Sequence, residues 1–396
     1  MSRLNVAIWA EALVGRHTGT RTFLEAVLYN FVTHHSDDIQ FTLVCPSWAD
    51  PKHLEGRFPD GPWRVASAPG TRWSNRLRWL AGGANLTPLI GRHDVYLSGW
   101  QWPLGGDDQP FVGIVHDLRL LDRHARDPGV SLPRRMAWTA LWRQSVRACL
   151  ARASAIVAPS QFTLDHLGSL GYRAHQPALV IPHGVDMSVW AADRAQPALD
   201  DACGRIGMAP GHEYILSIGQ HTPHKNLRRL IEAFAARLAV RDPAARLVIA
   251  GGENSETPLL HDDIARLGLG GRVILAGSVS FDDLRVLMAG ARLFAFPSLF
   301  EGFGLPVLEA YAAGIPVVTS ATTSLAEVAG DAAILVQPTN VPEIAAALER
   351  VWTDGCLQVQ LSAAGRVRAA LYGWDTAASR YVELLQTVAG TTGRPH

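Results

Sequence analysis

The stretch LFAFPSLFEGFGLPVLEAYAAGIPVVTS, residues 293–320, has the pattern of a strand, a glycine turn, a helix and a second strand. The apolar runs at its two ends have the length of strands, and LPVLEAYAAG between them has the length of a short helix. Gly302 and Gly304 permit positive φ or close approach of the backbone, and Pro306 suits the first turn of a helix. This unit predicts a parallel sheet that is covered by helices on both faces.

The same alternation extends over the whole chain. In the second half, EYILSIG, ARLVIAGG, RVILAGSV and AAILVQP are further apolar runs of strand length, each followed by a helical segment. LNVAIWA, IQFTLVCP, DVYLSG, FVGIVHD, AIVAPS and ALVIPHG repeat the pattern in the first half with longer insertions. We therefore predict an α/β protein with two Rossmann-like, doubly wound domains facing a cleft, at residues 1–190 and 205–375, and a final helix and tail at 376–396.

The composition argues against a nucleic-acid-binding, secreted or membrane-spanning protein. Lys plus Arg equals Asp plus Glu over the 396 residues, which gives no general case for binding nucleic acid. The first 185 residues nevertheless carry 19 basic and 14 acidic side chains, an imbalance that favours an anionic partner. The amino terminus has no apolar core typical of a signal peptide, and no apolar stretch is long enough to span a membrane. We expect a cytoplasmic enzyme.

Two groups of polar residues follow strands in the second half. In SIGQHTPHKNL, a strand ends at Gly219, and Lys225 follows at the start of a helix, an arrangement that suits a diphosphate. Glu301 and Glu309 flank the glycine turn of residues 302–304, and a carboxylate can accept hydrogen bonds from two sugar hydroxyls at once. The plainer alternatives are a solvated lysine, a surface glutamate and a glutamate that complements the helix dipole.

The first half offers weaker signals. His116 and Asp117 follow the apolar run FVGIV, although a His–Asp pair is more often a turn with a capping aspartate. Gly19 and Thr20 lie after the first strand in GRHTGTRTF. That segment lacks the GxGxxG spacing of a dinucleotide site, and no acidic residue ends a second strand about 20 residues later. An NAD-dependent enzyme is therefore disfavoured.

Several motifs together resemble the retaining glycosyltransferases of family 4, which have the GT-B fold. They are EGFGLPVLE followed by AYAAGIPVVTS, the HD pair after a strand of the first half, IPHGVD at the domain boundary, and IGQHTPHKNL. YGWDTAASRYVELL is similar to the final helix of this family, which packs back on the first domain. The resemblance covers most of the chain. It is nearest in character to the mannosyltransferases of bacterial polysaccharide and O-antigen synthesis.

The resemblance implies a role for each matching residue. His116 would lie near the donor sugar, Glu301 would hold sugar hydroxyls, Lys225 would neutralise the diphosphate, and Glu309 would hold the ribose. The other implied donor-binding residues are Gly302, Phe303, Gly304, Leu305, Gly219, His224 and Gly251, and the implied loop between acceptor and phosphate contains Gly19, Thr20 and Asp117. His224 stands where the family often has an arginine, which puts more of the phosphate charge on Lys225 and on helix N-termini.

The implied reaction is transfer of a hexose from a nucleotide-diphosphate sugar to a glycan or a polyprenyl-diphosphate-linked glycan, with GDP-mannose as the first candidate donor. UDP-glucose and rhamnose donors stay open. The nucleotide sugar is a substrate, so no cofactor is expected. No metal is expected either, because Asp107–Asp108 lies in a polar loop and not after a strand. The alternatives are a sugar-nucleotide epimerase or phosphorylase on the same fold, and a binding protein that lacks chemistry.

Two aromatic segments bear on the acceptor side. Residues 62–82 interleave four arginines with three tryptophans, a composition that suits an anionic lipid surface or a lipid diphosphate, or else tryptophans packed inward beneath solvated arginines. The segment 134–152 repeats apolar residues at helical spacing, which favours a helix packed on the core. The resulting expectation is a cytoplasmic protein with a candidate contact to the inner face of the membrane.

Overall fold

A computed structural model describes residues 3–14, 18–47, 54, 56–68, 86–99, 109–122, 131–191 and 196–391. The chain divides into two compact units. The first comprises Met1–Leu121, Met136–Gly184 and Gly373–His396, and the second comprises Asp122–Arg135 and Val185–Tyr372.

The first unit contains a parallel sheet of seven strands in the order β3-β2-β1-β4-β5-β6-β7. Its strands are β1 Leu4–Trp9, β2 Ile39–Pro46, β3 Trp63–Ala68, β4 Val95–Ser98, β5 Phe111–Ile114, β6 Ala155–Ala158 and β7 Ala178–Val180. β2 and β3 are added on one side of β1, and β4 then pairs with β1 on its other side. This reversal is the topological switch point of a doubly wound fold, where ligands bind at the carboxyl ends of the strands.

Helices cover both faces of this sheet. Successive side chains of a strand point to opposite faces, so each strand contributes to two hydrophobic cores. Val6 and Ile8 point into one core, and Ala7 and Trp9 point into the other. The helices of the unit are Glu11–Val14, Gly19–His34, Thr87–Ile90, Gln161–Ser169 and Trp374–Thr391, with a 3₁₀ turn at Arg119–Leu121. The helix Leu132–Arg152 belongs to this unit from Met136 onward.

The prediction that segment 134–152 packs on the core is confirmed. The helix Leu132–Arg152 buries Trp142, Val146 and Leu150 in the core that contains Trp9. The apolar residues recur every four positions, so they fall on one face of the helix.

The last helix, Trp374–Thr391, belongs to the first unit although it follows the whole of the second in sequence. Its buried Tyr381 and Leu385 pack in the same core as Phe23 of the helix Gly19–His34. Arg380 also donates a hydrogen bond to the carbonyl of Val180 on β7, at 2.8 Å. The predicted return of the final helix to the first domain is confirmed.

The second unit contains a parallel sheet of six strands in the order β10-β9-β8-β11-β12-β13. The strands are β8 Tyr214–Ile218, β9 Arg246–Ala250, β10 Val273–Gly277, β11 Leu293–Phe296, β12 Val317–Ser320 and β13 Ile334–Val336. The second sheet therefore has the Rossmann order 3-2-1-4-5-6, and the first has the same order with β7 added beside β6. The switch point of the second sheet lies between β8 and β11. The predicted fold class is confirmed.

The helices of the second unit follow the strands in alternation. They are Met187–Trp190, Gln196–Arg205, Leu227–Ala233, Ala239–Arg241, Thr257–Arg266, Phe281–Gly290, Leu305–Ala313, Thr323–Ala329, Val341–Thr353 and Gly355–Ala369, with a π-helical turn at Phe234–Leu238 and 3₁₀ turns at Pro223–Lys225 and Gly330–Ala332. Within the described ranges, no helix combines the length and the apolar character that a membrane span requires.

The final helix provides a test of the first unit. Leu385 is fully buried in the core with Phe23, so Leu385→Ala should lower the free energy of unfolding of this unit by about 2–5 kcal/mol. The matched control is Thr387→Ala on the exposed side of the same helix, which should change it by less than about 0.5 kcal/mol. Urea unfolding followed by circular dichroism measures both, and equal effects would contradict the packing described.

Candidate functional site

The switch point of the second sheet brings Lys225 and Glu301 together. Lys225 follows β8 and Glu301 follows β11, and these two strands are neighbours in the sheet although β9 and β10 lie between them in sequence. The Lys225 Nζ donates to the Glu301 Oε1 at 2.7 Å, and each side chain is only 16% exposed. An ion pair that is partly withdrawn from water keeps more of its Coulomb attraction than a surface pair does.

Asn226 fixes the backbone beside Lys225. It adopts a left-handed conformation, φ 60°, ψ 29°, between the 3₁₀ turn and the helix Leu227–Ala233. Its buried side-chain amide donates to the carbonyls of Pro297 at 2.9 Å and Pro338 at 2.6 Å. The loops after β8, β11 and β13 are thereby tied together. The signal in the sequence that could have identified Asn226 is the tolerance of asparagine for left-handed backbone.

The side chain of Lys225 lies against the backbone of Gly219 and near the ring of Phe296. The ammonium is 4.8 Å from the centre of the Phe296 ring, within the range of a cation–π contact. A methyl group at Gly219 would meet the Cδ of Lys225 at 2.9 Å, and one at Gly251 would collide with the carbonyl of Gly219. Glycine at Gly219 leaves room for the lysine stem, and glycine at Gly251 lets the loops after β8 and β9 approach each other.

The glycine turn before the helix Leu305–Ala313 is hydrogen-bonded by a residue that follows the next strand, β12. The Ser324 hydroxyl lies 2.8 Å from the carbonyl oxygens of both Glu301 and Phe303. Gly304 is the N-cap at φ 114°, where a side chain would be strained and would also meet Leu325. Residues 302–305 are all buried, and the Phe303 ring contacts Tyr372 edge-on. Hydrogen bonds and burial therefore fix the conformation of this turn.

Glu309 lies one turn into this helix and is partly exposed. Burial of the carboxyl raises its pKa from 4.5 to about 7. Desolvation disfavours the charged form of an acid, and no hydrogen bond from the described residues compensates for it. A ligand that offers two hydroxyl donors would restore the preference for the carboxylate.

Three hydroxyl groups at the same edge of the sheet were missed by sequence reasoning. The oxygen atoms of Ser298, Thr322 and Thr323 are buried without a hydrogen-bond partner among the described residues. Thr323 also has φ 62°, which is rare for a β-branched residue and stores backbone strain. The available signal was the run TSATTS, residues 319–324, which begins in the last two residues of β12. These groups border the turn that Ser324 holds.

The histidines after β8 are buried. His224 is 7% exposed, its Nδ1 lies 3.0 Å from the Thr222 hydroxyl, and its carbonyl accepts from the Leu299 N–H at 2.7 Å. The His224 side chain is thus engaged within its own loop. His221 is 1% exposed, with Nδ1 on the Thr257 hydroxyl at 2.9 Å and Nε2 without a partner in the described part of the chain.

In the first unit, His116 is held in one tautomer. Its Nε2 lies 2.9 Å from the Gly99 carbonyl, and a carbonyl only accepts, so Nε2 carries the proton. Burial lowers the pKa of His116 from 6.5 to about 4, which keeps the ring neutral at pH 7. Nδ1 is then a buried acceptor without a partner among the described residues. It can receive a hydrogen bond from a hydroxyl group.

The other first-unit candidates have structural roles. The Asp117 carboxylate accepts the backbone N–H of Arg119 at 3.0 Å, as in the plainer alternative of a capping aspartate. Gly19 and Thr20 begin the helix Gly19–His34, and the hydroxyl of Thr18 caps it by accepting from Arg21. This helix start lies after β1, at the switch point of the first sheet.

Part of the sequence prediction falls outside the described residues. Asp107–Asp108 and residues 69–82 of the aromatic segment belong to that part of the chain. Of the described remainder, Arg64 donates to the Thr42 hydroxyl and the Ile90 carbonyl, and Trp63 donates to the Pro59 carbonyl. These two side chains serve the packing of β3. Among the described residues, no group of His, Cys, Asp and Glu side chains is arranged to hold a metal ion.

The raised pKa of Glu309 makes the stability of the protein depend on pH. A carboxyl that titrates near 7 when folded and near 4.5 when unfolded binds more protons in the folded state, so its ionisation destabilises the fold as pH rises between these values. Glu309→Gln should therefore raise the free energy of unfolding by at least about 1 kcal/mol at pH 8 and leave it unchanged below pH 4.5. Thermal unfolding at both pH values, with exposed Glu383→Gln as control, measures the difference; a gain that is the same at both pH values would contradict it.

Comparison with known proteins identifies the family of the chain. Residues 24–189 match the sequence model described as Glycosyltransferase Family 4, and residues 205–368 match the one described as Glycosyl transferases group 1. The O-antigen chain mannosyltransferase B of Escherichia coli is 34% identical over 169 residues, which are 43% of this chain and 44% of that protein. The MMP alpha-(1->4)-mannosyltransferase of Mycolicibacterium hassiacum is 32% identical over 211 residues, 52% of this chain and 47% of that one.

The chain thus spans about half the length of the curated relatives it matches. The crystal structure of HepE from Anabaena, in complex with UDP and glucose, superposes with a TM-score of 0.73 at 20% identity, and the match covers 97% of this chain and 100% of that one. This likeness shows the GT-B fold. Since the two sequence models cover most of both units and the fold agrees, the chain belongs to glycosyltransferase family 4.

Proposed function

We propose that this chain transfers a hexose from a nucleotide-diphosphate sugar to a glycan or lipid-linked glycan acceptor in polysaccharide biosynthesis. The observation that carries the proposal is the ion pair of Lys225 with Glu301 at the switch point of the second sheet, directly before the helix Leu305–Ala313. Mannose is the first candidate sugar, because both relatives described above are named as mannosyltransferases.

Lys225 suits the diphosphate because an ammonium group has three N–H donors. One of them is engaged by Glu301, and two are left for phosphate oxygens. The lysine can therefore neutralise a leaving diphosphate without giving up the contact that positions it. Charge stabilisation of this kind acts where negative charge develops in the transition state.

Glu301 suits the hydroxyls of the sugar better than the role of a nucleophile. Its Oε1 accepts the Lys225 N–H, and its backbone carbonyl is held by Ser324, so the carboxylate is oriented by two neighbours. A double displacement needs a carboxylate close to the anomeric carbon. The proposed reaction is instead attack by the acceptor oxygen on the face from which the diphosphate departs, with the departing phosphate oxygen taking the acceptor proton. The anomeric configuration is then retained.

Glu309 and His116 complete the proposed contacts with hydroxyl groups. A Glu309 carboxylate would accept both ribose hydroxyls, which favours its ionised form when the nucleotide binds. The neutral His116 ring offers Nδ1 as an acceptor for a sugar hydroxyl. In this proposal neither a metal nor a cofactor takes part, because lysine and backbone N–H groups stabilise the diphosphate.

The donor is tested by thermal unfolding with a panel of nucleotide sugars. Selective binding to the folded state stabilises it by mass action, by about 2.7 kcal/mol at a ligand concentration of 100 Kd. GDP-mannose should raise Tm more than UDP-glucose, although HepE was crystallised with UDP and glucose. Glu309→Gln should lose the shift. A larger shift with a UDP sugar would overturn the choice of GDP-mannose and keep the reaction class.

The role of Lys225 is tested by turnover with the donor so identified. Lys225→Met should lower kcat/KM by at least about tenfold, which corresponds to about 1.4 kcal/mol of transition-state stabilisation. Lys225→Arg keeps the charge and should recover part of the rate. Arg350→Met, at an exposed position of the helix Val341–Thr353 in the same unit, is the matched control. Unchanged turnover in Lys225→Met would contradict the assignment.

The products separate the alternatives. A transferase gives a glycosylated acceptor whose anomeric configuration, read by NMR, matches that of the donor, and chelation of metal ions leaves its rate unchanged. An epimerase converts the donor without any acceptor, a phosphorylase requires phosphate, and a binding protein gives a thermal shift without product. Any of these last three results would overturn the proposed transfer.

A further inference from the structure

The connection after β12 departs from the usual start of a helix. Thr322 is the N-cap of the helix Thr323–Ala329, but its hydroxyl accepts no N–H of that helix and has no partner among the described residues. The first helical residue, Thr323, has φ 62°, a left-handed conformation that is strained for a β-branched side chain. Local interactions therefore do not account for the conformation of this connection.

The tertiary contacts of the next two residues supply the reason. Ser324 is fully buried, and its hydroxyl lies 2.8 Å from the carbonyl oxygen of Glu301 and 2.8 Å from that of Phe303. Leu325 packs against Gly304, where an added methyl group would come within 2.6 Å of the leucine Cδ2. The connection thus contacts the glycine turn at three positions, and these contacts offset the strain of the backbone that precedes Ser324.

Different contacts position the groups proposed for the nucleotide and for the sugar. Lys225, proposed for the diphosphate, is positioned by Asn226, and Glu309, proposed for the ribose, lies one turn into the helix that follows the glycine turn. Glu301, proposed for the sugar, lies in the turn itself, and its backbone carbonyl is held by Ser324. Loss of the Ser324 hydroxyl should therefore displace the sugar-binding carboxylate more than the groups that bind the nucleotide.

We propose that Ser324 is a positioning residue, whose hydroxyl fixes the backbone at Glu301 so that the carboxylate is oriented toward the sugar of the donor. The inference rests on the proposed function, which assigns the sugar hydroxyls to Glu301. A carbonyl that is withdrawn from water without a donor is costly, so the turn retains the conformation in which Ser324 reaches it. Ser324 thereby contributes to the recognition of the sugar and not to that of the nucleotide.

The test compares the binding of GDP-mannose and of GDP by isothermal titration calorimetry, with UDP-glucose and UDP in their place if the thermal panel selects a UDP sugar. In Ser324→Ala, the affinity for the nucleotide sugar should fall at least about fivefold more than that for the nucleoside diphosphate, because a misplaced Glu301 loses hydrogen bonds to the sugar. Equal losses of both affinities would overturn the proposal.

Ser320→Ala is the matched control in the same connection. Ser320 is also fully buried, and its hydroxyl donates to the carbonyl of Ser298 at 2.6 Å, outside the glycine turn. This change should lower Tm about as much as Ser324→Ala, since each removes one buried donor from a carbonyl, and it should leave the ratio of the two affinities unchanged. If both variants change the ratio equally, general loosening of the connection explains the effect and the positioning role is wrong.

Two further variants keep the test decisive if Ser324→Ala does not fold. Ser324→Cys has a weaker donor of similar shape and should change the ratio in the same direction. Thr323→Gly accepts positive φ without strain, so it should raise Tm and keep the wild-type ratio, because Ser324 stays in place. A wild-type ratio in Ser324→Cys, or a lower Tm in Thr323→Gly, would contradict the proposal.

The outcomes distinguish this inference from the proposed function. A wild-type chain that binds a nucleotide sugar but forms no product would overturn the transfer reaction alone, since the ratio of affinities is measured without an acceptor. A wild-type chain that binds no nucleotide sugar would overturn both. An unchanged ratio in Ser324→Ala, in a chain that transfers the sugar, would overturn the positioning role alone.

Discussion

The amide side chain of Asn226 is the contact on which the geometry of the second unit's site depends. It hydrogen-bonds the ends of two strand connections, at Pro297 and Pro338, while its own left-handed backbone aims the preceding residue, Lys225, across the switch point. A parallel sheet leaves the loops at its carboxyl edge free to separate, because no strand pairing continues beyond the last residue of each strand. The buried amide of Asn226 holds these loops together where strand pairing has ended. Lys225 is thereby held close enough to Glu301 to form the ion pair.

Formation of the ion pair between Lys225 and Glu301 requires that both charges lose water. Removing two charges from water is unfavourable, and a partly buried pair contributes little net stability unless further contacts compensate. Here the aromatic face of Phe296 lies beneath the ammonium, and hydrogen bonds from Ser324 orient the turn that carries Glu301. The lysine is thus already partly desolvated and positioned. The ammonium group therefore needs little further reorientation or desolvation when an anionic group binds to it. Such preorganisation favours the stabilisation of charge in a transition state.

Burial acts on the two other titratable candidates in the same physical way and with opposite chemical results. It lowers the pKa of His116 and keeps the ring a neutral acceptor at Nδ1, and it raises the pKa of Glu309 toward neutrality. Each group is left with hydrogen-bonding capacity that no described residue satisfies. A hydroxyl group could therefore satisfy either of them, by donating a hydrogen bond to the neutral His116 ring or to the Glu309 carboxylate.

By itself, the sequence determined the alternation of strands and helices, the two-domain α/β class and the residue types that end the strands, because periodicity and turn chemistry are local properties. It also identified Lys225, Glu301 and Glu309 as candidates, through the glycine turn and the helix starts around them. Only the tertiary structure decided that Lys225 and Glu301, which are 76 positions apart, are in contact. That contact follows from the pairing of β8 with β11, a long-range choice that local pattern does not encode. The buried hydroxyls of Ser298 and Thr323 and the tautomer of His116 were hidden for the same reason, since burial is set by neighbours that are distant in sequence.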